Sequence, residues 1–137
     1  MAANTNPIFI KQGNIGVARI AAANTASDGS GTLVTLVTSA VDGTRVDGVR
    51  FRNSQATAAA SSAMVHRIFW YNGVNYRLVG EVATAAATRS TSAVGATSIY
   101  TFDQPLLLKT GESVLVCQSV YAGVQDQFDA CAFAGDY

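Results

Sequence analysis

Charge is scarce in this 137-residue chain. Nine Lys and Arg balance nine Asp and Glu, the formal net charge is zero, and only 13% of residues are charged. An average soluble domain carries roughly 25%. Without a basic excess the chain is a poor match for nucleic acid, whose nonspecific affinity comes from phosphate neutralisation. A surface so weakly charged also has little repulsion to keep copies apart, so much of it is expected to meet another protein. Histidine occurs once and cysteine twice. That is too little for a zinc centre without carboxylates, or for a disulfide framework. No metal or other cofactor is expected. No apolar run reaches the roughly 18 residues of a membrane-crossing helix. The first ten residues lack the basic and apolar regions of a secretion signal. Synthesis in a reducing cytosol is therefore expected.

What the chain does have is 49% hydrophobic residues, which argues against disorder. Its length fits one domain, 1–137, large enough to bury roughly 70% of its unfolded surface. Ala (23), Thr (13) and Ser (11) make up about a third of it. Small side chains lose little rotamer entropy on ordering, which suits closely apposed subunits.

The pattern is strand after strand. Gly31 to Ala40 is rich in β-branched residues. Asp42-Gly43 separates it from Thr44 to Asn53, and Asp-Gly between two such runs predicts a hairpin. Asn72-Gly73 predicts a second, with a type I′ turn between Ala63–Tyr71 and Val74–Thr84. Met64, His66, Ile68 and Trp70 fall on one side of the first of these strands; Val65, Arg67, Phe69 and Tyr71 fall on the other. Both sides are partly apolar, so this strand is expected to lie centrally. A third hairpin is predicted from Ser113–Tyr121 and Gln127–Phe133 across residues 122–125. Further strands are expected at Ile15–Ile20 and Ser98–Phe102. Pro105 points to an edge or a short strand before Leu106. The Ala-rich segments at 56–63 and 82–87 are too short and too interrupted for helix, and a loop, or at most one turn, is expected at each. Eight or more short antiparallel strands predict an all-β fold, a β-sandwich or jelly roll.

Chemistry is sparse. His66 sits among apolar neighbours, where a packed structural role is expected rather than general-base catalysis. Cys117 and Cys131 are equidistant from residue 124. In the third hairpin they would face each other, as a cross-strand disulfide or as two reduced, buried thiols; the absence of a secretion signal favours the thiols. Asp28-Gly29-Ser30-Gly31 matches only the start of a calcium loop and reads as a turn. Asp126, Asp129 and Asp136 gather near the C-terminus. Arg45, Arg50 and Arg52, with Asp47, form a charged patch within one strand. Arg50 and Arg52 point to one side, to bind a carboxylate on a partner subunit, or the patch is a solvated face or an internal ion pair with Asp47. Trp70, Tyr71 and Tyr76 flank the Asn-Gly turn, as a glycan platform or as ordinary cross-strand pairs.

Four blocks carry a resemblance: Asn4-Thr5-Asn6-Pro7-Ile8-Phe9, the stretch from Ala22 to Thr35, Asp42 to Val49, and Ala132-Phe133-Ala134-Gly135-Asp136-Tyr137. The chain resembles small structural proteins of tailed-phage and prophage virions, among them capsid decoration (cement) proteins. That resemblance implies a compact β domain, a homotrimer, seated on major capsid protein at the outer surface of a shell after synthesis in the host cytoplasm. It carries no catalytic motif. Residues 1–7 are expected to extend as an arm, and Asn4, Asn6, Pro7, Ile8 and Phe9, with Arg50 and Arg52, are the candidate interface. The alternative is a tail or fibre component that binds a host-surface glycan through Trp70, Tyr71 and Tyr76.

Overall fold

Nested pairing organises the chain. The computed structural model describes residues 9–55 and 58–137. Eight strands run in order: β1 (Gln12–Ile20), β2 (Val34–Thr38), β3 (Thr44–Asn53), β4 (Met64–Tyr71), β5 (Tyr76–Thr84), β6 (Thr97–Leu108), β7 (Ser113–Gln118) and β8 (Phe128–Asp136). β1 pairs with β8, β2 with β7, β3 with β6 and β4 with β5, all antiparallel. The result is a long ribbon of strand pairs folded over itself. Sheet I has the order β1-β8-β3-β6 and sheet II the order β2-β7-β4-β5. The all-β sandwich read from the sequence is thus present, and its strand order is that of a jelly roll.

Two predicted hairpins do not form. β2 and β3 lie in different sheets, as do β7 and β8. Asp42-Gly43 belongs instead to a turn that crosses between the sheets. Gly43 donates its N–H to Ala40 O at 3.1 Å and takes φ 105°, which an L side chain rarely adopts. Residues 122–125 likewise begin a crossing, with a short 3₁₀ turn at Val124–Asp126. The Asn72-Gly73 hairpin is real, with Tyr71 opposite Tyr76. Its turn is not type I′, because only Gly73 takes a positive φ. The Asn72 side-chain oxygen instead accepts from the N–H groups of Val74 and Asn75. β6 is an edge strand that runs through Pro105, as proline requires.

The core fills the space between the sheets. Phe51 and Phe128 from sheet I, and Ile68 and His66 from sheet II, are wholly buried. β3 keeps its inward set through a register shift between Val46 and Gly48. Thr44 and Val46 face in before the shift, and Val49, Phe51 and Asn53 after it. The extra residue changes the parity, and Arg50 and Arg52 consequently point outward. Where β1 approaches β2 the layer is thin. A Cβ on Gly16 would overlap the Leu36 carbonyl, and β8 contributes buried Ala130 and Ala132. Part of the alanine content therefore serves the interior.

β4 is central and covered on both sides, as its sequence predicted. Phe69, Leu115 and Cys117 point away from the inter-sheet core and are still buried. The chain between β1 and β2, residues 21–33, lies over them. Asn24 N–H donates to Gln118 O at 2.8 Å, Asn24 O accepts from Cys117 Sγ at 3.8 Å, and Gly29 sits against Tyr76. Asn24 holds this loop closed: its side-chain amide donates to Ser30 O and Thr32 O, and its side-chain oxygen accepts from Ala26 N–H.

Candidate functional site

Among the described residues the outer face of sheet I has no such cover. Strand register sets its side chains in rows across β1, β8, β3 and β6. One row is Arg19, Asp129, Arg52 and Thr97. The next is Val17, Cys131, Arg50 and Ile99; the third holds Ile15 and Phe133. Ile15 is 68% exposed, Val17 66%, Ile99 57% and Phe133 41%. Apolar side chains scattered singly on a surface are ordinary, but contiguous ones mark an interaction site. Ile10, also exposed, rests against Gly135 at the far end of β8.

Guanidinium groups border the apolar rows. Arg50 lies over the Phe133 ring, 5.7 Å from its centroid. Arg19 is paired with Asp129, Nε to Oδ1 2.9 Å. The hydrogen bond from Arg19 holds the Asp129 carboxyl below the ordinary carboxylate range. Arg52 is exposed beside this pair. Arg89, from the β5–β6 connection, reaches the same cleft and donates to Gln55 O at 2.7 Å. Sequence reasoning found Arg50 and Arg52 and missed Arg19 and Arg89. Only the pairing of β1 with β8, and the path of the β5–β6 connection, bring those two in.

Other sequence-derived candidates fall elsewhere. Asn4, Asn6, Pro7, Ile8 and the arm at 1–7 lie outside the described residues; Phe9 is 72% exposed. Trp70 turns to the inner side of β4 and packs against the core, while Tyr71 and Tyr76 pair on the other side with ring centroids 4.8 Å apart. The three-aromatic platform is therefore not assembled, because neighbouring residues of a strand face opposite ways. Cys117 and Cys131 are free thiols in different sheets, the first buried and the second half-buried. The equal spacing about residue 124 had no pairing behind it.

His66 is fully buried between Phe51, stacked at 4.3 Å, and the edge of Phe128 at 4.6 Å. Its Nδ1 lies 2.8 Å from Thr84 Oγ1, and burial pushes its pKa down to about 3. No substrate can reach a ring placed so. Asp126, Asp129 and Asp136 are also dispersed. Asp126 is buried, accepting from Ser62 N–H and hydroxyl and from Ala122 N–H, and it ties the crossing loops at one end of the sandwich. Asp136 binds Thr44 and Asn14 at the other end of β8. Asp28 closes a local turn with Ser30. Among the described residues no group of three His, Cys, Asp or Glu is placed to hold a metal ion, and no helix is long and apolar enough to cross a membrane.

Comparison with family models, with characterised proteins and with solved structures returns no match to this chain.

Proposed function

We propose that this chain is a non-enzymatic structural virion protein that decorates and stabilises a phage capsid, seating the outer face of sheet I on major capsid subunits as a homotrimer. The observation that carries the docking surface is the asymmetry of the two outer faces. The chain covers Phe69, Leu115 and Cys117 on the outer side of sheet II with its own residues 21–33, whereas among the described residues Ile15, Val17, Ile99 and Phe133 on sheet I stay exposed. The bordering arginines suit an occupant that offers carboxylates around an apolar patch. The particle and the trimer come from the sequence resemblance. The jelly roll is compatible with them, since viral capsid domains use that architecture.

The test mixes purified protein with heads that lack it. Wild-type protein should co-sediment with the heads and raise their thermal unfolding temperature. Val17→Asp with Ile99→Asp, both exposed, should fold normally and lose both effects. Wild-type protein that fails to associate with the heads would refute the proposal.

A further inference from the structure

We infer that the cleft bordered by Arg50, Arg52 and Arg89 is an anion-binding site that takes carboxylate side chains of a partner protein. The inference rests on the reading of sheet I as the docking surface, and it specifies the chemistry of what docks.

Four of the chain's seven arginines, Arg19, Arg50, Arg52 and Arg89, line one cleft of about 410 Å³. Of its nine carboxylates only Asp129 lies there, and Arg19 already holds it. The chain's zero net charge thus hides a local excess of three positive charges. Arg50 and Arg52 make no ion pair among the described residues. Residues 1–8, 56 and 57 contain no Asp or Glu that could supply one. Like charges gathered this closely repel, and a bound anion relieves that repulsion.

Two of the free groups are already held in place. The Phe133 ring supports Arg50, and the Gln55 carbonyl fixes one nitrogen of Arg89. Each guanidinium has five N–H donors in a planar fork, so both keep donors for a bidentate carboxylate. Arg52 and Arg89 also border an adjoining depression lined by Ser90, Thr91 and Ser92, whose hydroxyls add donors. Sequence order does not reveal the cluster, because β1, β3 and the β5–β6 connection each contribute.

A protein carboxylate fits this cleft better than a nucleic-acid backbone. The arginines occupy one spot, not the long basic stripe that tracks successive phosphates. Val17 and Cys131 line the cleft between them, and Ile99 and Phe133 are their neighbours in the rows described above.

The experiment titrates the full chain against a fluorescein-labelled hexaglutamate peptide at low salt, following anisotropy. A labelled single-stranded oligonucleotide and inorganic phosphate serve as competing probes. The peptide should bind, and Arg52→Gln and Arg89→Gln should each weaken it about tenfold, the value of a hydrogen bond to a charged group. Arg77→Gln, an exposed arginine on β5 outside the cleft, should change nothing. Absence of peptide binding, equal loss in the Arg77 variant, or tighter binding of the oligonucleotide or of phosphate would overturn the inference. The head-association assay separates the two claims. Heads that still bind Arg52→Gln and Arg89→Gln at wild-type strength leave the docking face standing and remove the anion site.

Discussion

Phe51→Ala should destabilise the protein by about 3–5 kcal/mol, the usual cost of truncating a fully buried phenylalanine. Phe51 is 0% exposed on the central strand β3, and its ring stacks on His66. Removing the ring takes apolar area out of the core and leaves a cavity between two sheets. Neither sheet can collapse into it easily, because β3 is hydrogen-bonded to β6 on one side and β8 on the other. A domain with roughly 5–15 kcal/mol in total loses about a fifth or more of its stability. Urea unfolding followed by tryptophan fluorescence measures it: the midpoint should drop with little change in slope. A loss under about 1 kcal/mol would mean that the two sheets do not close on each other at this point.

Acid should unfold the protein earlier than its carboxylates alone would require. His66 titrates near 6.5 in an unfolded chain and at about 3 in the folded one, because burial disfavours its charged form. Between those values the unfolded state binds a proton that the folded state refuses. Stability is therefore full above pH 6.5 and falls as pH drops towards 3, by about 1.4 kcal/mol per pH unit and roughly 4–5 kcal/mol in all. Asp129, whose pKa is lowered by Arg19, adds its own loss only at more acid pH. The window from about pH 6.5 to 4.5 thus belongs to His66. Urea unfolding at pH 7, 6 and 5 should show the slope in wild type and a nearly flat profile in His66→Phe. Thr84 keeps a hydroxyl partner in that variant, since its Oγ1 also lies 2.6 Å from Ser98 Oγ. An equal slope in both proteins would place the acid sensitivity elsewhere.

Local chemistry was legible in the sequence, and long-range pairing was not. Alternation and β-branched content marked the strands. Pro105 marked an edge, and both sides of β4 announced a covered, central strand. The Asp42-Gly43 error has a physical cause: a turn that crosses between sheets needs the same positive-φ glycine as a hairpin, so the dipeptide signals a reversal without naming the partner. In a jelly roll of this order β4 and β5 are the only sequence neighbours that pair, and theirs was the hairpin correctly read. The cysteine symmetry failed for the same reason. The candidate site divides likewise. Arg50 and Arg52 share a face by period two, which any strand imposes, but Arg19 joins them only through the β1–β8 register and Arg89 only through the path of the β5–β6 connection. Within residues 21–33 the sequence marked only the turn at Asp28 to Gly31 and the start of a strand expected from Gly31. Nothing local showed that these residues cover Phe69, Leu115 and Cys117, although that cover is what makes the bare face of sheet I distinctive.

The most direct measurement of the docking claim is a cryo-electron microscopy map of an intact particle, resolved well enough to orient this domain. Ile15, Val17, Ile99 and Phe133 should lie buried against the shell, with residues 21–33 turned to solvent. Density that places residues 21–33 on the shell and leaves the outer face of sheet I in solvent, or a particle without this chain, would contradict it.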